Sequence, residues 1–340
     1  SSNGFVNGNS QTYIYIAISR PHKPPEAATE VFDPELLTSQ TQTSTPDFAP
    51  DMAWQIWNRA YPSFYVGTRL TGNGKYLQTY SQNAEGSFAS WKFDAPTGTF
   101  TQSLSTGSTP GGIQYFFKRA KKFFDIVTYT GNGVQGRNIS HNLGVAPDFM
   151  FVKNRDTTND DWHAYASGVT HLSVFGSDPD SYGNNAIRLY LNDTDQAQFS
   201  ASGSWDHTHP SATTFRVGDT GGTNGNGEDL IAFLFASLDG VSKIGTYTGT
   251  GSNGINVDCG FTSGARLVII KRLDGTGNWW CWDSARGIVS GDDPWVYLNS
   301  TTAEASNADH IDPLDAGFTV NAGTAELNAS GGKYLFFAIA

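Results

Sequence analysis

The chain has 340 residues, enough for two or three domains of ordinary size, so a lone small module is excluded. Its 32 acidic residues outnumber 21 basic ones, and a net charge of −11 argues against a surface built to neutralise nucleic-acid phosphates. Only 16% of residues are charged while 13% are aromatic and 38 are glycine, which suits short strands joined by tight turns and excludes disorder throughout.

In chain order, the opening Ser1-Ser2-Asn3-Gly4 has neither a starting Met nor the basic-then-apolar pattern of a signal peptide. The first predicted element is a strand at 13–16 (Tyr-Ile-Tyr-Ile) with no earlier copy of its kind. Residues 1–18 therefore read as the last strand of an upstream repeat, and the chain as a fragment of a longer protein. Residues 19–47, with Pro21, Pro24, Pro25, Pro34 and a Thr/Ser/Gln run at 38–45, read as an extended linker. No apolar run approaches the roughly 20 residues of a membrane-spanning helix, so membrane insertion is not expected.

Beyond the linker the chain repeats itself, and repetition sets architecture before any motif is read. Tyr129-Thr130-Gly131-Asn132-Gly133 returns as Tyr247-Thr248-Gly249-Thr250-Gly251, and Phe151-Val152-Lys153 returns at the same spacing as Ile269-Ile270-Lys271. That spacing also sets Trp162 against Trp280, His141 against Cys259 and His163 against Cys281. A more diverged copy shows in Phe48-Ala49-Pro50-Asp51 with Asn58-Arg59, matching Val145-Ala146-Pro147-Asp148 with Asn154-Arg155. Each copy closes on an aromatic-rich strand: Tyr115-Phe116-Phe117, residues 230–235, and Tyr334-Leu335-Phe336-Phe337. The expectation is three units, 48–121, 122–240 and 241–340. Each is an antiparallel β-sandwich of the jelly-roll kind, strung as rigid beads in tandem.

Several clusters offer chemistry. In Trp205-Asp206-His207-Thr208-His209, two imidazoles two apart on a strand would point the same way beside a carboxylate; the other reading is a polar turn before Pro210. The oxygen-rich stretches 156–161, with Asp156, Asp160 and Asp161, and 219–229 either suit Ca²⁺ as a bound cofactor or are solvated loops. Trp279 and Trp282 either pack in a core or present flat faces to a sugar ring, with Trp280 assigned to the core by its match to Trp162. Cys259 and Cys281 replace two histidines together, which would follow from a Cys259–Cys281 disulfide or from independent drift. Gly-x-Ser-x-Gly and His-Glu-x-x-His are absent, so no catalytic residues are assigned and the chain is read as not an enzyme.

The run Phe124-Asp125-Ile126-Val127-Thr128-Tyr129-Thr130-Gly131-Asn132-Gly133, then Ile139-Ser140-His141-Asn142-Leu143-Gly144-Val145-Ala146-Pro147-Asp148, resembles a repeated, uncharacterised domain of tailed-phage virion proteins. The third unit adds Trp282-Asp283-Ser284-Ala285-Arg286-Gly287 and Gly332-Lys333-Tyr334 to that likeness, which covers 122–340 well and 31–121 weakly. The resemblance implies a concanavalin-like or SPRY-like sandwich in a tail fibre or similar appendage at the virion surface. It also implies homo-oligomeric partners, other virion proteins and a host-surface glycan or protein as contacts. Asn138, Asn192, Asn299 and Asn328 head Asn-x-Ser/Thr triplets that would stay unmodified in a phage product. Competing expectations are a tailspike polysaccharide depolymerase, a purely architectural capsid or tail component, and a cellular filament.

Overall fold

The computed structural model describes residues 23–39, 41–57, 64–88, 91–94, 99–103, 111–176, 187–198, 203–321 and 323–340. The strand expected at 13–16 lies outside the described residues. The fold is all-β, as the composition predicts, and every described strand pair is antiparallel.

The first unit contains β1 (Phe32–Leu36), β2 (Thr41–Ser44), β3 (Met52–Trp57), β4 (Phe64–Thr68), β5 (Lys75–Gln78), β6 (Gly86–Ser87), β7 (Lys92–Asp94), β8 (Thr99–Ser103) and β9 (Gly112–Phe117). The second contains β10 (Phe124–Thr130), β11 (Arg137–Ser140), β12 (Phe149–Asn154), β13 (His163–Ala166), β14 (Leu189–Tyr190), β15 (Thr214–Val217) and β16 (Asp229–Phe235), with short helices α1 (His171–Phe175) and α2 (Gly221–Asn224). The third contains β17 (Ser242–Thr248), β18 (Ile255–Asp258), β19 (Leu267–Arg272), β20 (Trp279–Asp283), β21 (Val296–Tyr297), β22 (Ile311–Leu314), β23 (Gly317–Val320) and β24 (Lys333–Ile339), with α3 (Ala325–Asn328) before the last strand.

The large sheets run β1-β9-β3-β4-β5-β6, β10-β16-β12-β13-β14 and β17-β24-β19-β20-β21. In each, the first strand pairs with the last, and the last with the third. Smaller sheets, β2-β8-β7, β11-β15 and β18-β23-β22, complete the three sandwiches. The first unit therefore begins near residue 31, not 48. The expected linker is corrected in its described part, because β1 pairs with β9 from Phe32↔Phe117 to Leu36↔Ile113 and β2 pairs with β8. Pro34 fits because β1 is an edge strand, where a missing ladder N–H is tolerated.

The aromatic closing strands explain why the chain does not form separate beads. Along β16, Leu230, Ala232 and Leu234 fill the second unit's own core with Met150, Tyr165 and Phe215. The alternate residues Ile231, Phe233 and Phe235 point the other way, into a core shared by all three units. β24 divides likewise: Tyr334, Phe336 and Ala338 lie inside the third sandwich, and Leu335, Phe337 and Ile339 in the shared core. A strand buried on both faces reads as a continuous apolar run, as these do.

The shared core closes the units into a ring. Trp54 meets Phe151 at 6.0 Å and Phe117 meets Phe235 at 5.9 Å, joining the first unit to the second. Phe235 meets Phe337 at 5.0 Å and Phe149 meets Trp279 at 5.9 Å, joining the second to the third. Tyr115 donates to Asp283 at 2.9 Å and the Thr79 hydroxyl to the Leu298 carbonyl at 2.6 Å, joining the third to the first.

Phe235 stacks on Phe124 at 4.5 Å and touches rings of all three units. Phe235→Ala is expected to cost about 3–5 kcal/mol, the range for a large aromatic deleted from a close-packed core, read as a lower midpoint in urea unfolding.

Candidate functional site

The two oxygen-rich stretches singled out in the sequence do meet, at the junction of the first and second units. Strand β12 ends in Lys153-Asn154-Arg155, whose side chains draw the surrounding loops together. Asn154 Nδ2 donates to Asp160 Oδ2 at 3.0 Å, to Glu228 Oε2 at 2.5 Å and to the Gly221 carbonyl at 3.0 Å. Asp156 Oδ2 accepts the backbone N–H of Asp229 at 2.7 Å. Across the junction, Arg155 makes a two-pronged pair with Glu85, at 2.8 and 3.1 Å, and Gln82 donates to Asp161 at 2.7 Å.

Each candidate cation ligand is thus held by donors of the protein. Asp160 also accepts from Thr157, and Asp161 from Asn192 at 2.8 Å. Among the described residues no three His, Cys, Asp or Glu side chains form a metal-ligating group. Asp156, Asp160 and Asp161 are loop-fixing groups in this arrangement.

Lys153 is fully buried at the centre, its ammonium donating to the carbonyls of Gln82 at 3.0 Å and Asp160 at 2.7 Å. Lys271 occupies the same place in the third unit and donates to the carbonyls of Thr194 at 2.9 Å and Gly277 at 2.6 Å. Burial pushes both amines down to about 8. Each lysine ties its unit to the preceding one.

The remaining sequence candidates separate. Residues 205–207 form a turn, with φ of 45° at Asp206 and 55° at His207, so the strand geometry that would aim His207 and His209 together is absent. Trp205 is buried in the second unit's core, Asp206 pairs with Arg216 at 2.6 Å, and exposed His209 pairs with the Tyr165 hydroxyl at 2.8 Å.

Trp279 and Trp282 present no face to solvent: Trp279 is in the shared core and Trp282 in the third sandwich, stacked on Trp280 at 5.6 Å. The ladders also shift the repeat alignment by one residue. Val152↔His163 and Ile270↔Trp280 are matching rungs, which makes Trp279, not Trp280, the counterpart of Trp162. The indoles confirm it: Trp162 Nε1 donates to the Gln78 carbonyl and Trp279 Nε1 to the Tyr190 carbonyl, both at 2.9 Å.

Cys259 and Cys281 are free thiols, corrected from the disulfide expectation. Cys259 faces the third sandwich and Cys281 the shared core, on the opposite side of the large sheet. Their matched substitution has no contact behind it, because Cys281 is the counterpart of Ala164, not His163.

Sequence reasoning missed the residues that give the repeated Tyr-Thr-Gly motif its meaning. Tyr129 and Tyr247 donate their hydroxyls to the carbonyls of Thr223 and Leu327, in α2 and α3, at 2.6 and 2.8 Å. Buried Asn224 accepts the N–H of Asn132 at 3.0 Å, and Asn328 that of Thr250 at 2.8 Å. Gly131 and Gly249 are required by close approach: a Cβ would sit 2.0 Å from the Gly225 carbonyl oxygen and 2.2 Å from that of Ala329. Asn192 and Asn299, read as sequon heads, accept the backbone N–H of Trp162 at 2.8 Å and of Trp279 at 2.9 Å. The repeat of these residues at matching spacing was the available signal. A second missed group is Arg286, which pairs with Asp283 at 2.5 Å and Glu304 at 2.9 Å, and so explains the Asp-x-x-Arg-Gly element.

The buried lysines carry a pH signature. Their folded values lie below the ordinary 10.5, so between pH 8 and 9 the unfolded chain holds protons that the native chain releases, and stability rises with pH. Above pH 9 the opposite sign enters, because burial holds both cysteine thiols up at about 12. Urea midpoints measured across pH 7.5–9 are expected to climb, and the climb to disappear in K153M/K271M.

Among the described residues no helix is long and apolar enough to cross a membrane. No curated protein and no solved structure matches the chain. One family profile does, over residues 67–340, about four fifths of the chain and across both boundaries between units. The chain therefore belongs to the family described as a domain of unknown function, DUF7483.

Proposed function

We propose that the protein is a non-catalytic structural and adhesive component of a virion surface, a tail fibre or similar appendage. The observation that carries this reading is the construction of the body. Three sandwiches share one aromatic core, and the polar clusters at their junctions spend their hydrogen bonds on one another. Such a body resists deformation, and its chemistry is shape. The resemblance of 122–340 to repeated virion domains supports the same reading.

Copies of the chain and other virion proteins are the partners this reading requires, with a host-surface glycan or protein touched by surface loops such as 206–209, where His209 is exposed. Weak contacts on symmetric copies would gain about 10²–10⁴ in avidity when they engage together.

A second reading, polysaccharide depolymerase, is favoured by one observation. Asp160 and Glu228 accept hydrogen bonds from the same Asn154 amide nitrogen, at 3.0 and 2.5 Å, which sets side by side two half-exposed carboxylates, the pair of groups that glycosidases use.

Immunogold labelling of purified virions from the source, with antibody to this chain, tests the proposal: label on a tail or surface appendage is expected, and virions without label would overturn it. Incubation of the chain with host surface polysaccharide separates the readings. Release of soluble fragments that stops in D160N and E228Q would replace adhesion by catalysis.

A further inference from the structure

The three junctions of the ring are built at equivalent positions, and their chemistry differs. Registers align Phe64, Trp162 and Trp279 at one place, and Ile56, Lys153 and Lys271 at another. At the junction of the second unit with the first, Trp162 donates to the Gln78 carbonyl and Lys153 to that of Gln82. At the junction of the third unit with the second, Trp279 donates to the Tyr190 carbonyl and Lys271 to that of Thr194. At the junction of the first unit with the third, the corresponding residues are Phe64 and Ile56, whose side chains have nothing to donate.

Ring contacts follow the same division. Trp54–Phe151, Phe117–Phe235 and Phe117–Phe124 span the first junction, and Phe149–Trp279, Phe149–Phe337 and Phe235–Phe337 the second. Among the described residues no aromatic pair spans the third. Besides its aliphatic share of the common core, it is closed by polar groups: Tyr115 to Asp283 at 2.9 Å, Arg286 to the Tyr115 hydroxyl at 3.3 Å, the Thr79 hydroxyl to the Leu298 carbonyl at 2.6 Å, and Arg266 to the Phe32 carbonyl at 3.0 Å, with the Arg266 guanidinium over the Phe32 ring. Buried charged groups regain hydration when a contact opens, which offsets part of the cost of breaking it. The first two junctions are also tethered by peptide, through 118–123 and 236–241, whereas the first and third units are not consecutive in the chain.

We infer that the junction between the first and third units is a gate: it opens as a unit while the three sandwiches and the other two junctions stay folded. Opening exposes the inner faces of the first and third sheets, including the Cys281 thiol, which lies 3.6 Å from the Tyr115 hydroxyl at this junction. Cys259 sits inside the third sandwich and stays covered. The two thiols therefore report different events, opening of the ring and opening of a unit.

The test uses the full chain with one cysteine at a time, C259A or C281A, and labelling by 5,5′-dithiobis(2-nitrobenzoate) in low urea. In C259A, labelling of Cys281 is expected with a urea dependence clearly above zero and clearly below that of global unfolding. Tyr115→Phe, which removes the hydroxyl bridging Asp283 and Arg286, is expected to speed Cys281 labelling about tenfold and to leave Cys259 labelling within about twofold. Phe64→Trp, which supplies the missing indole donor, is expected to slow Cys281 labelling. Should Phe64→Trp disturb folding, the Tyr115→Phe comparison decides alone. A Cys281 urea dependence equal to that of global unfolding overturns the gate, as does one near zero. Equal acceleration of both thiols by Tyr115→Phe overturns it as well.

Discussion

The last strand of each unit has no face to give to water. In β16, Leu230, Ala232 and Leu234 are needed by the second sandwich, and Ile231, Phe233 and Phe235 are left as an apolar stripe on the other side. A single sandwich could not leave that stripe exposed, since apolar area costs about 25 cal/mol for each Å² in contact with water. Three such stripes, from β9, β16 and β24, cover one another. The ring is the consequence of burying strands on both sides.

Once the stripes meet, the backbone carbonyls of Gln78, Gln82, Tyr190 and Thr194 come to lie at the junctions between units and can take donors from across them. The chain supplies them from the neighbouring unit with Trp162, Lys153, Trp279 and Lys271. Burying an ammonium among carbonyls is costly, which is why both amines are pushed down to about 8. The same logic explains Asn224 and Asn328. Each is a buried amide that satisfies turn backbone which would otherwise be left unpaired.

The family match runs from 67 to 340, across both unit boundaries. Fold by itself does not specify function, and the virion proposal rests on the resemblance together with this construction.

Much of the architecture was legible in the sequence. Alternating and aromatic runs gave the strands, and the return of Tyr-Thr-Gly gave the repeat, because local periodicity reflects which side of a strand is buried. The closing segments read as strands for the same reason. Reading β1 as linker failed because Pro34 and a polar run look like linker wherever the pairing partner, here β9, lies far along the chain. Tertiary structure alone decided that Trp279 is an inter-unit donor while Trp282 is private core, since neighbouring positions on a strand face opposite ways and only the ladder fixes which way is out. It alone placed Cys259 and Cys281 on two sides of one sheet. Composition and spacing determined that this chain makes sandwiches; the second buried face of each closing strand, invisible until three of them meet, decided that the sandwiches close on one another.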